Sequence, residues 1–265
     1  MKKHKWFAVI SVMAMALAVG GCSNPSSGNE STTGSSGGSG NSSGAGNSGV
    51  DNPVSQQPDY SDCVVGDFIL EDGTILSKDE TPESGTVAAV IVRAATNDKP
   101  ALGVGIVHGE SKLAWCTGSA AGFSTNITAL QGDKTKGYMD GRDGWEKLKE
   151  ACSDAESNPE NYPAWNYSLT YAKTNGLTGD LATGWYLPTV AELDTIYQNK
   201  TVVDASLSKA GGSTFGTSWY WSCCQGPSSN IYARGLSFNY GNMSTTPRTT
   251  LTIMFVVFGL LTSGA

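Results

Sequence analysis

The sequence predicts an α+β domain: short antiparallel strands, two or three helices and long loops, set behind an exported leader and a polar tether. Three observations lead there. Short β-rich runs around an Asp72-Gly73 turn signal open the domain. Helical periodicity follows in the middle of the chain. After Lys200 the text becomes aromatic and loop-rich, with Gly and Ser between large rings. Strands, then helices, then strands make an α+β arrangement.

The first segment stands apart from any fold. Lys2, Lys3, His4 and Lys5 form a basic start, residues 6–19 are apolar, and the run ends in Val19-Gly20-Gly21-Cys22. It is too short to span a bilayer and reads as a signal peptide over residues 1–21. The small-residue pair before Cys22 resembles a bacterial lipobox, in which that cysteine becomes the lipidated first residue. Gly20 departs from the commoner alanine or serine. The plainer reading is an ordinary signal peptide with an incidental Cys22. Residues 22–59 are dominated at first by Ser, Gly, Asn and Thr, a composition that buries no core and behaves as a tether, with a reach on the order of 30 Å. The expected partner is a membrane, through the lipid anchor, at an exported, surface-exposed, outer-membrane position.

Residues 60–265 are long enough for one sizeable domain. The leader holds three of the 17 Lys+Arg and none of the 24 Asp+Glu, so the mature chain is net −10. That charge argues against nucleic acid or anionic lipid as a partner. Beyond Cys22 the cysteines are Cys63, Cys116, Cys152, Cys223 and Cys224. Export permits disulfides, an odd number leaves a thiol over, and adjacent Cys223 and Cys224 pair only with strain. The pairing stays open.

The elements follow in order. VVGDFILEDGTILSKDE opens the domain as a hairpin about Asp72-Gly73. Residues 87–93 and 102–107 read as core strands, and 113–116 as a further short strand. Over 144–155, Trp145, Leu148, Ala151 and Cys152 mark one apolar helix face, making Cys152 a buried small hydrophobe. A second helix is expected over 164–174, with Gly176 just past its end. A third follows Pro188: Thr189 and Glu192 have capping-box spacing, and Val190, Leu193, Ile196 and Tyr197 form its buried stripe. Beyond it stand Phe215, Trp219, Tyr220, Trp221, Tyr232, Phe238 and Tyr240.

Catalysis and metal binding find little support. The one histidine beyond the leader, His108, reads as a turn or strand-end residue, which argues against a His-rich zinc site. Asp133, Asp140 and Asp143 lie in GDKTKGYMDGRDG, where oxygen ligands suit calcium, but the spacing is not that of an EF-hand and a solvated loop is the simpler reading. Gln57-Pro58-Asp59 spells a lectin sugar-selectivity motif, but it lies in the tether. No cofactor is expected.

Motifs in the second half carry a family resemblance. GWYLPTVAELDTIY (residues 184–197) resembles the G-W-x-L-P-S/T-x-x-E-L pattern of bacterial lipoprotein domains with a C-type-lectin-like fold, the fold also of formylglycine-generating enzymes. SWYWSCCQ (218–225) resembles their W-Y-W-S-S-S segment, YARGLSFNYGN (232–242) their next strand, and VGDFILEDGT and LAW their opening elements. These short motifs occur in the family's order and span most of residues 64–242. Within that family the chain resembles the treponemal variable lipoproteins of diversity-generating retroelements. In that family a reverse transcriptase rewrites adenines in the last few dozen codons, and the altered side chains form a ligand-binding surface.

The resemblance implies a scaffold of Trp185, Leu187, Pro188, Glu192, Leu193, Trp219, Trp221 and Gly241, and a variable region over about 219–265. Its implied display positions are Cys224, Gly226, Pro227, Ser228, Asn230, Ile231, Arg234, Ser237, Asn239, Tyr240, Asn242 and Ser244, with Tyr232 a further candidate. Tyr, Ser, Gly and Asn make adaptable paratopes. Cys223-Cys224 reads either as drifted copies of the family's serines or as a fixed pair, buried or bonded. The tail TTLTIMFVVFGLLTSGA departs from the family's Y-V-R-x-x-R-A-F ending. It reads either as a buried final strand or as that ending in a shifted frame. The implied function is ligand binding without chemistry, the ligand a protein or glycan. The rivals are an envelope lipoprotein with a fixed C-terminus and a thiol-dependent enzyme of the formylglycine-generating type.

Overall fold

The computed structural model describes residues 60–108, 112–227, 230–250, 252–253 and 257–259. The leader, Cys22, the tether with its Gln57-Pro58-Asp59, and Ser228 lie outside them. The chain forms β1 (Phe68–Leu70), β2 (Ile75–Leu76), β3 (Val87–Arg93), β4 (Leu102–Gly105) and β5 (Lys112–Leu113), then α1 (Gly144–Ala151), α2 (Pro163–Thr174), β6 (Trp185–Tyr186), α3 (Val190–Gln198) and α4 (Lys200–Lys209). It ends in β7 (Trp219–Gln225), β8 (Tyr232–Ser237), β9 (Met243–Pro247), β10 (Thr252–Ile253) and β11 (Val257–Gly259). This is an α+β architecture of two sheets and, among the described residues, four α-helices.

One sheet runs β2-β1-β3-β4-β11-β6, antiparallel throughout. The other runs β5-β10-β7-β8-β9. Its pairs are antiparallel except β10 with β7, which is parallel and corrects the purely antiparallel expectation. The described parts of the apolar tail therefore sit inside both sheets: β10 between β5 and β7, β11 between β4 and β6. In the backbone, that is the place of a closing final strand.

VAAVIVR forms a strand covered on both faces, which is why it is apolar without interruption. Val90 and Val92 pack with Leu193 of α3 and Val203 of α4. Ala89 and Ile91 pack with Tyr171 of α2 and with Trp185. A further core gathers Trp115, Trp165, Trp221, Leu148, Cys152, Cys223 and Cys224.

The capping box forms. Thr189 Oγ1 accepts from Glu192 N at 3.2 Å, and Glu192 Oε2 accepts from Thr189 N at 2.8 Å. Glu192 also accepts from the Tyr186 hydroxyl at 2.8 Å and from Gly141 N at 3.2 Å. Burial raises its proton affinity, and these donors partly restore the anion. α1 stops at Ala151, which is exposed, while Cys152 is buried as expected. The expected strand over 113–116 reduces to Lys112–Leu113. α4 was not expected. Its Thr201, Val202 and Val203 are weak helix formers and its Asn199 cap offers no side-chain bond. Burial of Val203, Ser206 and Leu207 and the Lys200–Asp204 ion pair hold it.

One buried charge ties these parts together. Arg248 is 0% exposed. Its Nη1 donates to the carbonyls of Gly122, Phe123 (3.4 Å) and Thr125 (3.0 Å), and its Nε to Tyr232 O (3.4 Å). The guanidinium carbon lies 5.0 Å from the Trp115 ring centre. The Arg248 carbonyl accepts from Trp115 N at 2.8 Å, and its own N–H donates to Ile231 O at 3.1 Å. Burial pulls its pKa down to about 10, so it stays charged at neutral pH. Arg248→Leu should cost about 3 kcal/mol or more, because buried carbonyls lose their donors. Urea denaturation checks this, and an unchanged midpoint would refute the tie. Thr189→Ala should cost about 1 kcal/mol in the same assay.

Candidate ligand-binding surface

β7 is fastened on both sides. The Trp221 indole donates to Leu113 O at 2.9 Å, and the Trp115 indole donates back to Ser222 O at 3.0 Å. Tyr220 faces the opposite core with Phe215 and Phe238. Pairing of β7 with β8 shifts register between Trp221 and Gln225, so Ser222 to Cys224 bulge out of the ladder. In the bulge Cys223 N donates to Pro188 O at 2.8 Å, which joins the two family-like motifs directly. Ser222 Oγ donates to Arg234 O at 2.8 Å and accepts from Cys224 N at 3.2 Å. Gln225 clamps the far end: its Oε1 accepts from Ile127 N at 2.8 Å and its Nε2 donates to Thr125 O at 3.2 Å.

Several expected display positions are therefore interior. Cys224 is wholly buried beside Cys223; both thiols are free, and burial pushes that of Cys223 well up. Gly226 is buried, since a Cβ there would lie 2.8 Å from Thr245 Cγ2. Arg234 is buried, with Nε donating to Gln225 O (3.3 Å) and Nη1 to Met243 Sδ (2.7 Å). Ser237 is buried and its hydroxyl accepts from Asn239 N at 3.3 Å. The common cause is that β7 and β8 are both interior strands, β7 between β10 and β8 and β8 between β7 and β9, with Ala233 in one core and Leu236 in another.

The ends of β8 are different. Asn239, Tyr240 and Asn242 are exposed on the β8–β9 turn, Tyr240 at 73%. Pro227, Asn230 and Ile231 are exposed on the β7–β8 connection, and Ser244 on β9. Tyr232 is half-buried. The two exposed groups stand apart by the length of β8, about 20 Å. Ser244 and Thr245, exposed on the edge strand, lie between them.

The β8–β9 turn is braced from below. Gly241 N donates to Ser237 O (2.8 Å), Ser237 N to Asn242 O (2.9 Å) and Phe238 N to Ser218 O (2.9 Å). Phe238 packs against Tyr220, Phe215 and Tyr197. Gly241 has φ +67°, and a Cβ there would lie 2.5 Å from the Tyr197 ring, so only glycine fits. Lys134 Nζ donates to Gly241 O at 2.5 Å while paired with Asp194 at 2.5 Å.

Among the expected scaffold residues, Trp185, Leu187, Pro188, Glu192, Leu193, Trp221 and Gly241 are buried. Trp219 is the exception at 39% exposed. It pairs with Ser237 and its indole runs beside Gly235, so it is a ring available at the surface. The sequence also gave no hint of Lys134 as the turn's brace, because its partner lies more than a hundred residues away.

The other candidates are committed locally. His108 is buried and stacked on Phe215 at 4.6 Å, and burial lowers its pKa to about 4. Asp133 accepts from Thr135 N and Lys136 N, Asp140 pairs with Arg142, and Asp143 pairs with Lys147. Among the described residues no group of His, Cys, Asp and Glu could hold a metal ion.

No protein-family model matches the chain, and no curated protein does. Among solved structures it is similar to a fimbrial protein from Bacteroides ovatus, with a TM-score of 0.55 at 14% identity. The match covers 74% of this chain and 49% of that one, so this chain spans about half that protein's length. At that identity the likeness is one of fold alone.

Exposure predicts how substitutions divide. Asn239→Ala, Tyr240→Ala and Ser244→Ala should each stay within about 0.5 kcal/mol of the parent, whereas Arg234→Ala should cost roughly 2 kcal/mol. Chemical denaturation of the set measures this. Equal losses at Tyr240 and Arg234 would contradict the division.

Proposed function

We propose that this chain is a surface-displayed, lipid-anchored protein that binds a ligand through the C-terminal region of a C-type-lectin-like domain, of the kind found in treponemal variable lipoproteins. The observation that carries the reading is the braced β8–β9 turn. Glycine geometry, a buried phenylalanine and Lys134 fix its base, and Asn239, Tyr240 and Asn242 project from it. Tyr gives rigid contact area and Asn adapts its hydrogen bonds. Among the described residues the variable set then narrows to Pro227, Asn230, Ile231, Asn239, Tyr240, Asn242 and Ser244, with Trp219 as a constant aromatic neighbour and Ser228 kept from the sequence. The ligand is a protein or glycan on another surface. A mature net charge of −10 speaks against nucleic acid. Cys223 and Cys224, buried in a bulge, serve packing in this reading rather than thiol chemistry.

A second reading is a structural subunit of the envelope, with a fixed C-terminus. What suggests it is that the protein similar in fold is described as a fimbrial protein.

Sequencing the surrounding DNA separates the two. The binding reading expects a reverse-transcriptase gene and a near-copy of codons 219–265 that differs at adenines. Differences should fall on the exposed positions and spare Trp221 and Gln225. The same codons decide whether the tail is read in a shifted frame. A locus with neither gene nor copy would remove the binding reading and leave the structural one.

A further inference from the structure

We propose that a cleft beside the display turn binds the carboxylate of an acidic sugar. The cleft, 290 Å³ in volume, is lined by Arg93, Lys99 and Lys134 together with Asp194, Thr195 and Gln198. In so acidic a chain, three cations against the half-buried carboxylate of Asp194 make a local excess of positive charge. Glu192 also borders the cleft, but its carboxyl is turned to Thr189, Tyr186 and Gly141. Lys134 is already engaged by Asp194 and by Gly241 O. Arg93, whose charge also acts on Asp140, and the exposed Lys99 remain for an incoming anion.

Arg93 carries an unmet demand. At the end of β3 its Nη2 donates to Pro100 O at 3.1 Å, while its buried Nε has no hydrogen-bond partner among the described residues. A buried N–H without an acceptor is costly, and a carboxylate placed against the guanidinium edge removes that cost with charge-assisted bonds. The remaining lining suits a sugar ring better than a bare ion or an acidic peptide side chain. Met139 and Ala191 give apolar wall, and Thr195, Gln198 and Asn199 are neutral polar groups that can bond hydroxyls. The volume lies near the lower end of small-ligand sites, about one ring. None of these residues belongs to 219–265, so the site stands independently of the variable-surface reading.

The test is calorimetric titration of the mature chain with D-galacturonate at low salt, with galactose and a glutamyl dipeptide as comparison ligands. Saturable galacturonate binding is expected, with no response to galactose and a weaker one to the dipeptide. Lys99→Glu, an exposed change that leaves the melting temperature unaltered, should weaken binding about tenfold. Arg93→Lys, which keeps the charge and loses the fork, should do the same. Tyr240→Ala should leave galacturonate binding intact, so failure here and failure of the display surface are told apart. Absence of saturation, an equal response to galactose, tighter dipeptide binding, or a Lys99→Glu protein that binds normally would each overturn the site.

Discussion

A buried guanidinium with carbonyl partners governs the C-terminal half of this fold. Buried charges are ordinarily paired with opposite charges. Arg248 is instead held by carbonyls of Gly122, Phe123, Thr125 and Tyr232 and by the face of Trp115. The carbonyls of Gly122, Phe123 and Thr125 come from a single 3-10 turn and the chain just after it, where no strand ladder satisfies them, and that of Tyr232 opens β8. The side chain thus does for the 121–125 segment what a strand would do, and its backbone does the same for Trp115 and Cys116. Because Arg248 follows β9 directly, it also fixes where the chain leaves the edge of the sheet. Only from that exit do β10 and β11 enter the interiors of the two sheets. β10 and β11 complete the two sheets, and one arginine holds the chain that leads to them.

The aromatic stretch WYWSCCQGPSSN joins rigid packing to loose text for a related reason. Trp221 and Trp115 exchange indole bonds across to opposite backbones, and the bulge hands Cys223 to Pro188. From Tyr220 to Gln225 strand β7 is thereby fixed on three sides, and the surface is reached by Trp219 at its start and by the chain beyond Gln225. Rigidity in the strand fixes the base of the connection, and a braced base keeps a loop's presentation constant whatever side chains it carries.

Much of this was legible in the sequence. The Asp72-Gly73 hairpin, the doubly buried β3, the second helix and the capping box of α3 all follow local rules, and each forms where periodicity and turn chemistry put it. The failures share a cause: small polar residues say little about depth. Ser237, Gly226 and Cys224 belong to the same composition as Asn239 and Ser244, yet they sit inside because small side chains fit crowded interiors as readily as exposed turns. Strand periodicity would separate the two, but the shift between Trp221 and Gln225 breaks the alternation. Arg248 and Lys134 were invisible because their partners are distant in sequence. α4 was missed because tertiary burial overrides its weak propensity.

The same geometry sets how much variation the surface tolerates. A domain of this kind has a margin of roughly 5–15 kcal/mol. Exposed substitutions change it by about 0.5 kcal/mol or less, so the positions at the ends of β8 can all differ at once. A change at Arg234 or Cys224 removes buried bonds or overfills a packed bulge, at about 1–3 kcal/mol each. Two or three such changes together would consume a modest margin. A diversified surface on this scaffold therefore gathers at the two ends of β8, about 20 Å apart, and is bridged by Ser244 and Thr245 of the edge strand rather than by β8, whose own side chains stay fixed. That spacing favours a ligand broad enough to touch both groups, or two small contacts made independently. The cationic cleft lies beside the turn that Lys134 braces, which puts a charge-selective contact next to Tyr240 without asking any variable residue to supply the charge.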